Sequence, residues 1–184
     1  MIEAAAECGA DAVKFQKRTP ELVVPGSMAG KVKETPWGPM SYLDYRRRLE
    51  FGEAEYEQID QTCRQVGITW FASVWDIPSL EFLLGFQPEA IKIPSAQITN
   101  PFLVEQVVRQ NRPVILSTGM STEDQITRAV SQTEPGNTVI CHCKSAYPTP
   151  PDKLNLNAIK TLKTKFGNRA FIGYSGHETG LWTT

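Results

Sequence analysis

Two lysines sit where a buried strand would normally exclude them. Lys14 lies in Val13-Lys14-Phe15 and Lys92 in Ile91-Lys92-Ile93, each inside an apolar run. An ammonium taken out of water without a counter-charge loses its proton, so each lysine needs an anion, a carboxylate partner or an imine role. Polar clusters follow similar runs at Pro94-Ser95, at Ser117-Thr118-Gly119 and at Tyr174-Ser175-Gly176-His177. A fixed ammonium, hydroxyls and amides ahead of a helix hold phosphate or carboxylate where no glycine-rich loop exists. The chemistry this set suits is capture of a small, strongly anionic substrate.

Each candidate also has a plainer reading. Lys14 can leave the strand end and pair with Asp11, although Gln16 continues its face two residues on. Lys92 can bridge to an acid on an adjacent strand. Ser-Thr-Gly turns are common and gain weight here only by following a buried strand. Tyr147, in Tyr147-Pro148-Thr149-Pro150-Pro151, is either a substrate-facing phenol on a stiff segment or a half-packed ring. His177 is one of two histidines and can be a metal ligand, a general base or a hydrogen-bonded loop residue. Cys141-His142-Cys143 lacks the spacing of a zinc knuckle, and strand alternation turns His142 away from both sulfurs.

Regular elements must position these groups. Short apolar runs at 12–16, 68–73, 90–93, 113–117, 138–142 and 171–174 predict strands buried on both faces. Helical spacing fills the gaps: Tyr56, Ile59, Cys63 and Val66 precede Gly67, and Pro78 opens 78–84 ahead of Gly85. Asn100-Pro101 opens a helix carrying Leu103, Val104, Val107 and Val108. Ser121-x-x-Asp124 predicts a capping box before Ile126, Ala129 and Val130, and Ile159, Leu162 and Phe166 mark a last helix. Met1 to Cys8 reads as the back half of a helix, so a first strand is expected before it. Residues 17–50, rich in Pro and Gly, read as an irregular stretch long enough for a lid or a partner contact.

Six strands with five crossovers predict an α/β fold. The expected form is an incomplete (β/α)8 TIM-type barrel with about six of eight strands, forming one partial barrel domain over 1–184. Parallel α/β sheets collect chemistry at the carboxyl ends of their strands, which is where the candidates lie. No Gly-x-Gly-x-x-Gly turn opens a helix, so a dinucleotide site has no support; an open doubly wound sheet is the alternative. A formal charge of -1 argues against a nucleic-acid or membrane surface. No apolar run has the length of a membrane span, and the N-terminus lacks the regions of a signal peptide. The 4 cysteines form neither a zinc ribbon nor a small secreted framework, so a reducing cytoplasm is the expected setting.

Six segments, in order, resemble the sialic acid (N-acetylneuraminate) synthase family. They are Glu7-Cys8-Gly9-Ala10-Asp11-Ala12-Val13-Lys14-Phe15-Gln16-Lys17, Arg48-Leu49-Glu50-Phe51, Ile91-Lys92-Ile93-Pro94-Ser95, Ile115-Leu116-Ser117-Thr118-Gly119-Met120, Cys143-Lys144-Ser145-Ala146-Tyr147-Pro148 and Gly173-Tyr174-Ser175-Gly176-His177-Glu178-Thr179-Gly180. The resemblance implies a (β/α)8 barrel that condenses phosphoenolpyruvate with N-acetylmannosamine or a related N-acylated sugar, aided by a divalent metal, Mn2+ or Mg2+. It implies that Lys14, Lys92, Ser95, Ser117 and Ser175 match positions holding phosphoenolpyruvate, and that Gln16 and Tyr147 match positions facing the substrates. Ser145 stands where some members have asparagine, and Ser73-Val74 where some offer a threonine to the phosphate. His177 matches one of two metal-binding histidines.

The same resemblance implies a catalytic glutamate on a strand before Met1 and a second metal histidine beyond Thr184. It implies a C-terminal antifreeze-like domain that this chain lacks, and a homodimer for the complete enzyme. Leu181-Trp182-Thr183-Thr184 departs from the family pattern, and weak turnover is expected of this polypeptide alone. An incomplete barrel exposes strand edges, which favours self-association. Two alternatives stay open: a Schiff-base aldolase of the same barrel class using Lys14 or Lys92, and an inactive fragment that retains anion binding.

Overall fold

The described residues of the computed structural model are 1–180; the departure at Leu181-Trp182-Thr183-Thr184 lies outside them. The chain divides into two units, Met1–Pro88 and Glu89–Thr184. In the first, α1 (Ile2–Glu7) leads into β1 (Ala12–Lys17), followed by two single turns, α2 (Pro20–Val23) and α3 (Gly26–Ala29). A short antiparallel pair comes next, β2 (Val32–Lys33) with β3 (Met40–Ser41), and then α4 (Tyr42–Leu49) and α5 (Glu53–Val66). β4 (Thr69–Val74) and α6 (Ile77–Leu84) complete the unit. β1 and β4 are parallel, with Lys14 opposite Phe71 and Gln16 opposite Ser73.

An aromatic core holds this unit. Tyr56 on α5 is fully buried, with the rings of Phe82, Phe86 and Trp70 at 5.2, 5.7 and 5.8 Å. Its hydroxyl donates to the Gln16 carbonyl at 3.1 Å, tying α5 to β1. Burial pushes the phenol's pKa well up, and Glu50 adds in the same direction. α5 stops because Gly67 takes the left-handed conformation, φ 72°, which a side chain would resist. Its N–H and that of Ile68 both close on the Cys63 carbonyl.

The second unit alternates strand and helix with little between. β5 (Ile91–Ile93) runs into a 3-10 turn, Ser95–Gln97, and α7 (Pro101–Val108). β6 (Val114–Ser117), α8 (Glu123–Ser131) and β7 (Thr138–His142) follow. A second 3-10 turn, Pro151–Lys153, precedes α9 (Asn157–Phe166) and β8 (Phe171–Tyr174). The strands pair in parallel in the order β5, β6, β7, β8. The core here is aliphatic: Ile93, Val104, Val107, Leu116 and Ile140 are each 0% exposed, a burial that stabilises by about 1.5–3 kcal/mol per large side chain. Six parallel strands among the described residues, alternating with helices, make the fold class α/β, an incomplete (β/α)8 barrel of the TIM type. Among the described residues no helix is long and apolar enough to cross a membrane.

Three expectations change. Residues 17–50 are not irregular: three helices and a two-stranded ladder occupy them, because Pro20 and Ser41 act as helix-start residues. The capping box of α8 is one residue later than the sequence reading. Thr122 is the N-cap, receiving the Gln125 N–H at 3.4 Å and donating its own N–H to Gln125 Oε1 at 2.8 Å. Ser121 instead donates to the Gly119 carbonyl at 3.4 Å. Nor is β1 buried on both faces. None of its residues is fully buried and Lys14 is exposed, because β4 is its one partner within the unit.

Candidate functional site

Strand ends in the second unit build a polar cradle around one glycine. Pro94 ends β5 in extended geometry, so Ser95 starts the 3-10 turn beside the strand terminus. Thr118, just past β6, fastens that end to β7: its N–H and its hydroxyl both donate to the Cys141 carbonyl, at 3.1 and 3.0 Å. The Gly119 N–H is thereby aimed at two acceptors, Ser95 Oγ at 3.0 Å and Cys143 Sγ at 3.1 Å. Those two atoms are 3.0 Å apart. A Cβ at position 119 would overlap Ser145 Oγ outright and stand 2.9 Å from both Cys143 Sγ and Ser95 Oγ. Only glycine leaves the cradle open.

Two hydroxyls here are unanswered. Ser117 Oγ and Ser145 Oγ are buried and have no hydrogen-bond partner among the described residues. A buried hydroxyl left unpaired costs about 1–3 kcal/mol, so a fold keeps such groups together where a ligand satisfies them. The donors present suit an oxyanion: a backbone N–H, hydroxyls and one ammonium. Lys92 Nζ donates to Ser175 Oγ at 3.5 Å, joining the end of β5 to the loop after β8. Burial pushes the neighbouring Cys141 thiol up, opposed by the positive charge of Lys92 and reinforced by Cys143.

Tyr147 and His177 form a second cluster. Their rings meet edge-on with centroids 4.5 Å apart. His177 Nδ1 lies 3.0 Å from the Lys144 carbonyl. A carbonyl only accepts, so Nδ1 carries the proton and Nε2 keeps its lone pair, the arrangement of a histidine ready to ligate a metal. Among the described residues no group of three or more His, Cys, Asp or Glu side chains is placed to hold a metal ion. His177, with Nε2 bare, fits the part of one such ligand. His142 faces elsewhere: its Nε2 is 2.8 Å from the Leu154 carbonyl and its ring stacks on Tyr174.

The structure brings Ser95 and Ser145 to Gly119 and joins Lys92 to Ser175, while Ser117 stands opposite Cys141 in the β6–β7 register and Tyr147 and His177 form a pair. In the first unit Gln16 and Ser73 are register partners at the ends of β1 and β4, Ser73 being 2% exposed. Lys14 shares the Gln16 face of β1. Cys143 is a site residue the sequence reading does not name as such, and Gly119 enters it only as part of the Ser117-Thr118-Gly119 cluster. Cys143 follows Cys141 by two, so it shares the inward face of β7, and a glycine directly after a buried strand marks a close backbone approach.

The NeuB family model matches residues 1–184. This chain belongs to the NeuB family. It is 34% identical to the N-acetylneuraminate-9-phosphate synthase of Homo sapiens, over 98% of this chain and 51% of that protein. The Drosophila melanogaster protein of the same name is 36% identical over 98% of this chain and 50% of its own length. A crystal structure of the N-acetylneuraminic acid (sialic acid) synthetase of Leptospira borgpetersenii, in complex with citrate, matches with TM-score 0.84 and 31% identity. That likeness covers 99% of this chain and 60% of the other. The chain spans about half the length of the curated relatives it matches.

Proposed function

We propose that this chain carries the substrate-binding part of a nonulosonic acid synthase, an enzyme that joins phosphoenolpyruvate to N-acetylmannosamine or a related N-acylated aldose. The observation that supports it is the cradle: Gly119 N–H, Ser95 Oγ and Cys143 Sγ in mutual contact, with the unanswered Ser145 hydroxyl beside them. Phosphoenolpyruvate has a carboxylate and a phosphate to fill such donors, and the relatives are named as synthases of N-acetylneuraminic acid or its 9-phosphate. The alkene carbon attacks the sugar aldehyde, water adds at the cationic carbon that results, and phosphate leaves as its C–O bond breaks. Lys92, Ser95, Ser117, Ser145 and Ser175 hold and orient the enol phosphate, with Tyr147 toward the sugar. A bound divalent cation, manganese or magnesium, would polarise the aldehyde oxygen, with His177 Nε2 as one ligand.

Calorimetric titration of phosphoenolpyruvate into the purified chain tests this. Saturable binding is expected, weakened about 10- to 100-fold in Lys92→Ala because a charge-assisted contact is lost, with the melting midpoint almost unchanged. A Lys92→Ala variant that binds as tightly as the parent, or a parent that binds nothing, overturns the assignment. Borohydride trapping of a keto acid on Lys14 or Lys92 would transfer it to an imine-forming aldolase.

A further inference from the structure

Thr149 has no role in the chemistry above, yet it is 2% exposed between two prolines in an otherwise open segment. Its hydroxyl donates to the Ala146 carbonyl at 2.8 Å, closing the turn that carries Tyr147. Its N–H donates to the His177 carbonyl at 2.9 Å. The second strut between the same two loops is the His177 Nδ1–H donating to the Lys144 carbonyl at 3.0 Å, and the third is the Tyr147–His177 ring contact. Three contacts therefore join the loop after β7 to the loop after β8, and Thr149 makes one of them from a buried position.

We propose that Thr149 is a positioning residue that locks the Tyr147 turn onto the His177 loop and so fixes which imidazole nitrogen is left bare. This rests on the reading of the site given above, because it assigns His177 and Tyr147 their work. Without the Thr149 hydroxyl the 146–149 turn loosens, and the Lys144 carbonyl is no longer held against Nδ1. The proton then redistributes between the two ring nitrogens, and Nε2 is no longer constantly available.

The chain's two histidines make this directly observable. His177 is held with the proton on Nδ1, whereas His142, with Nε2 at 2.8 Å from the Leu154 carbonyl, is held in the opposite tautomer. Nitrogen-15 spectra of the imidazoles, taken about two units above the ordinary histidine pKa of roughly 6.5, distinguish the two forms. In the parent each histidine is expected in its single tautomer. In Thr149→Val the His177 signals move toward a mixture while those of His142 stay, and Thr149→Ser restores the parent pattern.

His177 signals unchanged in a folded Thr149→Val overturn the proposal. If that variant loses the His142 pattern too, and so does not fold, amide exchange in the parent decides. The Thr149 N–H must then exchange at least about tenfold more slowly than the Tyr147 N–H; equal rates overturn the proposal. A parent that binds no phosphoenolpyruvate but shows the expected tautomers removes the substrate reading and leaves the lock standing.

Discussion

Asp76, just past β4, directs both carboxylate oxygens at its own chain. Oδ2 accepts the Thr19 N–H at 2.7 Å, while Oδ1 accepts the Thr19 hydroxyl and the Ser79 N–H, each at 2.9 Å. Ser117, at the end of β6, is 3% exposed and has a hydroxyl with no partner among the described residues. Both residues are buried and polar, Asp76 two residues past its parallel strand and Ser117 the last residue of its own. One fastens a loop and caps α6; the other stands unanswered opposite Cys141. Saturation of hydrogen bonds separates a structural polar group from a binding one, where burial alone does not. Ser79 Oγ and Trp75 Nε1 are also unpartnered, but Ser79 sits in the first turn of α6 and the Trp75 ring lies under the Arg18 guanidinium.

The contrast breaks most readily at Asp76. Asp76→Ala removes three hydrogen bonds and the cap of α6, and should cost about 2–4 kcal/mol in urea unfolding. Phosphoenolpyruvate affinity of the folded fraction should be unchanged. A variant of normal stability would show that the saturated carboxylate is not structural, and the distinction would fail on its first side.

Gly119→Ala should do the reverse. Its Cβ overlaps Ser145 Oγ and crowds Cys143 and Ser95, so the cradle fills. Phosphoenolpyruvate binding is expected to weaken by about 100-fold, roughly 2.7 kcal/mol, with a smaller loss of stability of about 1–2 kcal/mol from local crowding. Titration and unfolding on the same preparation compare the two. Binding that survives within a few-fold would mean that the anion does not enter between Ser95, Ser145 and the amide.

Much of this was legible in the residues because punctuation and periodicity agree. Gly67 and Asn100 bound their helices where the sequence places them, and the six strand signals fall within a residue or so of the observed strands. Contacts between segments distant in the chain were less legible. Nothing near Ser95 announces that Cys143 will stand 3.0 Å away, because that contact is set by the register of β5, β6 and β7. The α8 cap shifted by one because Thr122 with Gln125 makes a reciprocal box, where an Asp at position 124 has a shorter reach. Lys14 was expected inside a strand covered on both faces; strand type was readable from Val13 and Phe15, but the extent of cover depends on what packs against β1.

Ser117→Ala gives the smallest effect and the sharpest sign. An unpaired buried hydroxyl is a net cost to the fold, so replacing it with a methyl should raise stability slightly, by about 0.5–1 kcal/mol. The same change removes a hydrogen-bond donor from the cradle, so phosphoenolpyruvate affinity should fall about tenfold, or roughly 1.4 kcal/mol. Opposite signs on one preparation are what a binding group predicts and what a packing group does not. At Asp76 the losses fall on stability alone; at Ser117 they fall on binding alone. Should Ser117→Ala lower stability by a kcal/mol or more and leave affinity intact, the hydroxyl belongs to the fold, and β6 ends as β4 does.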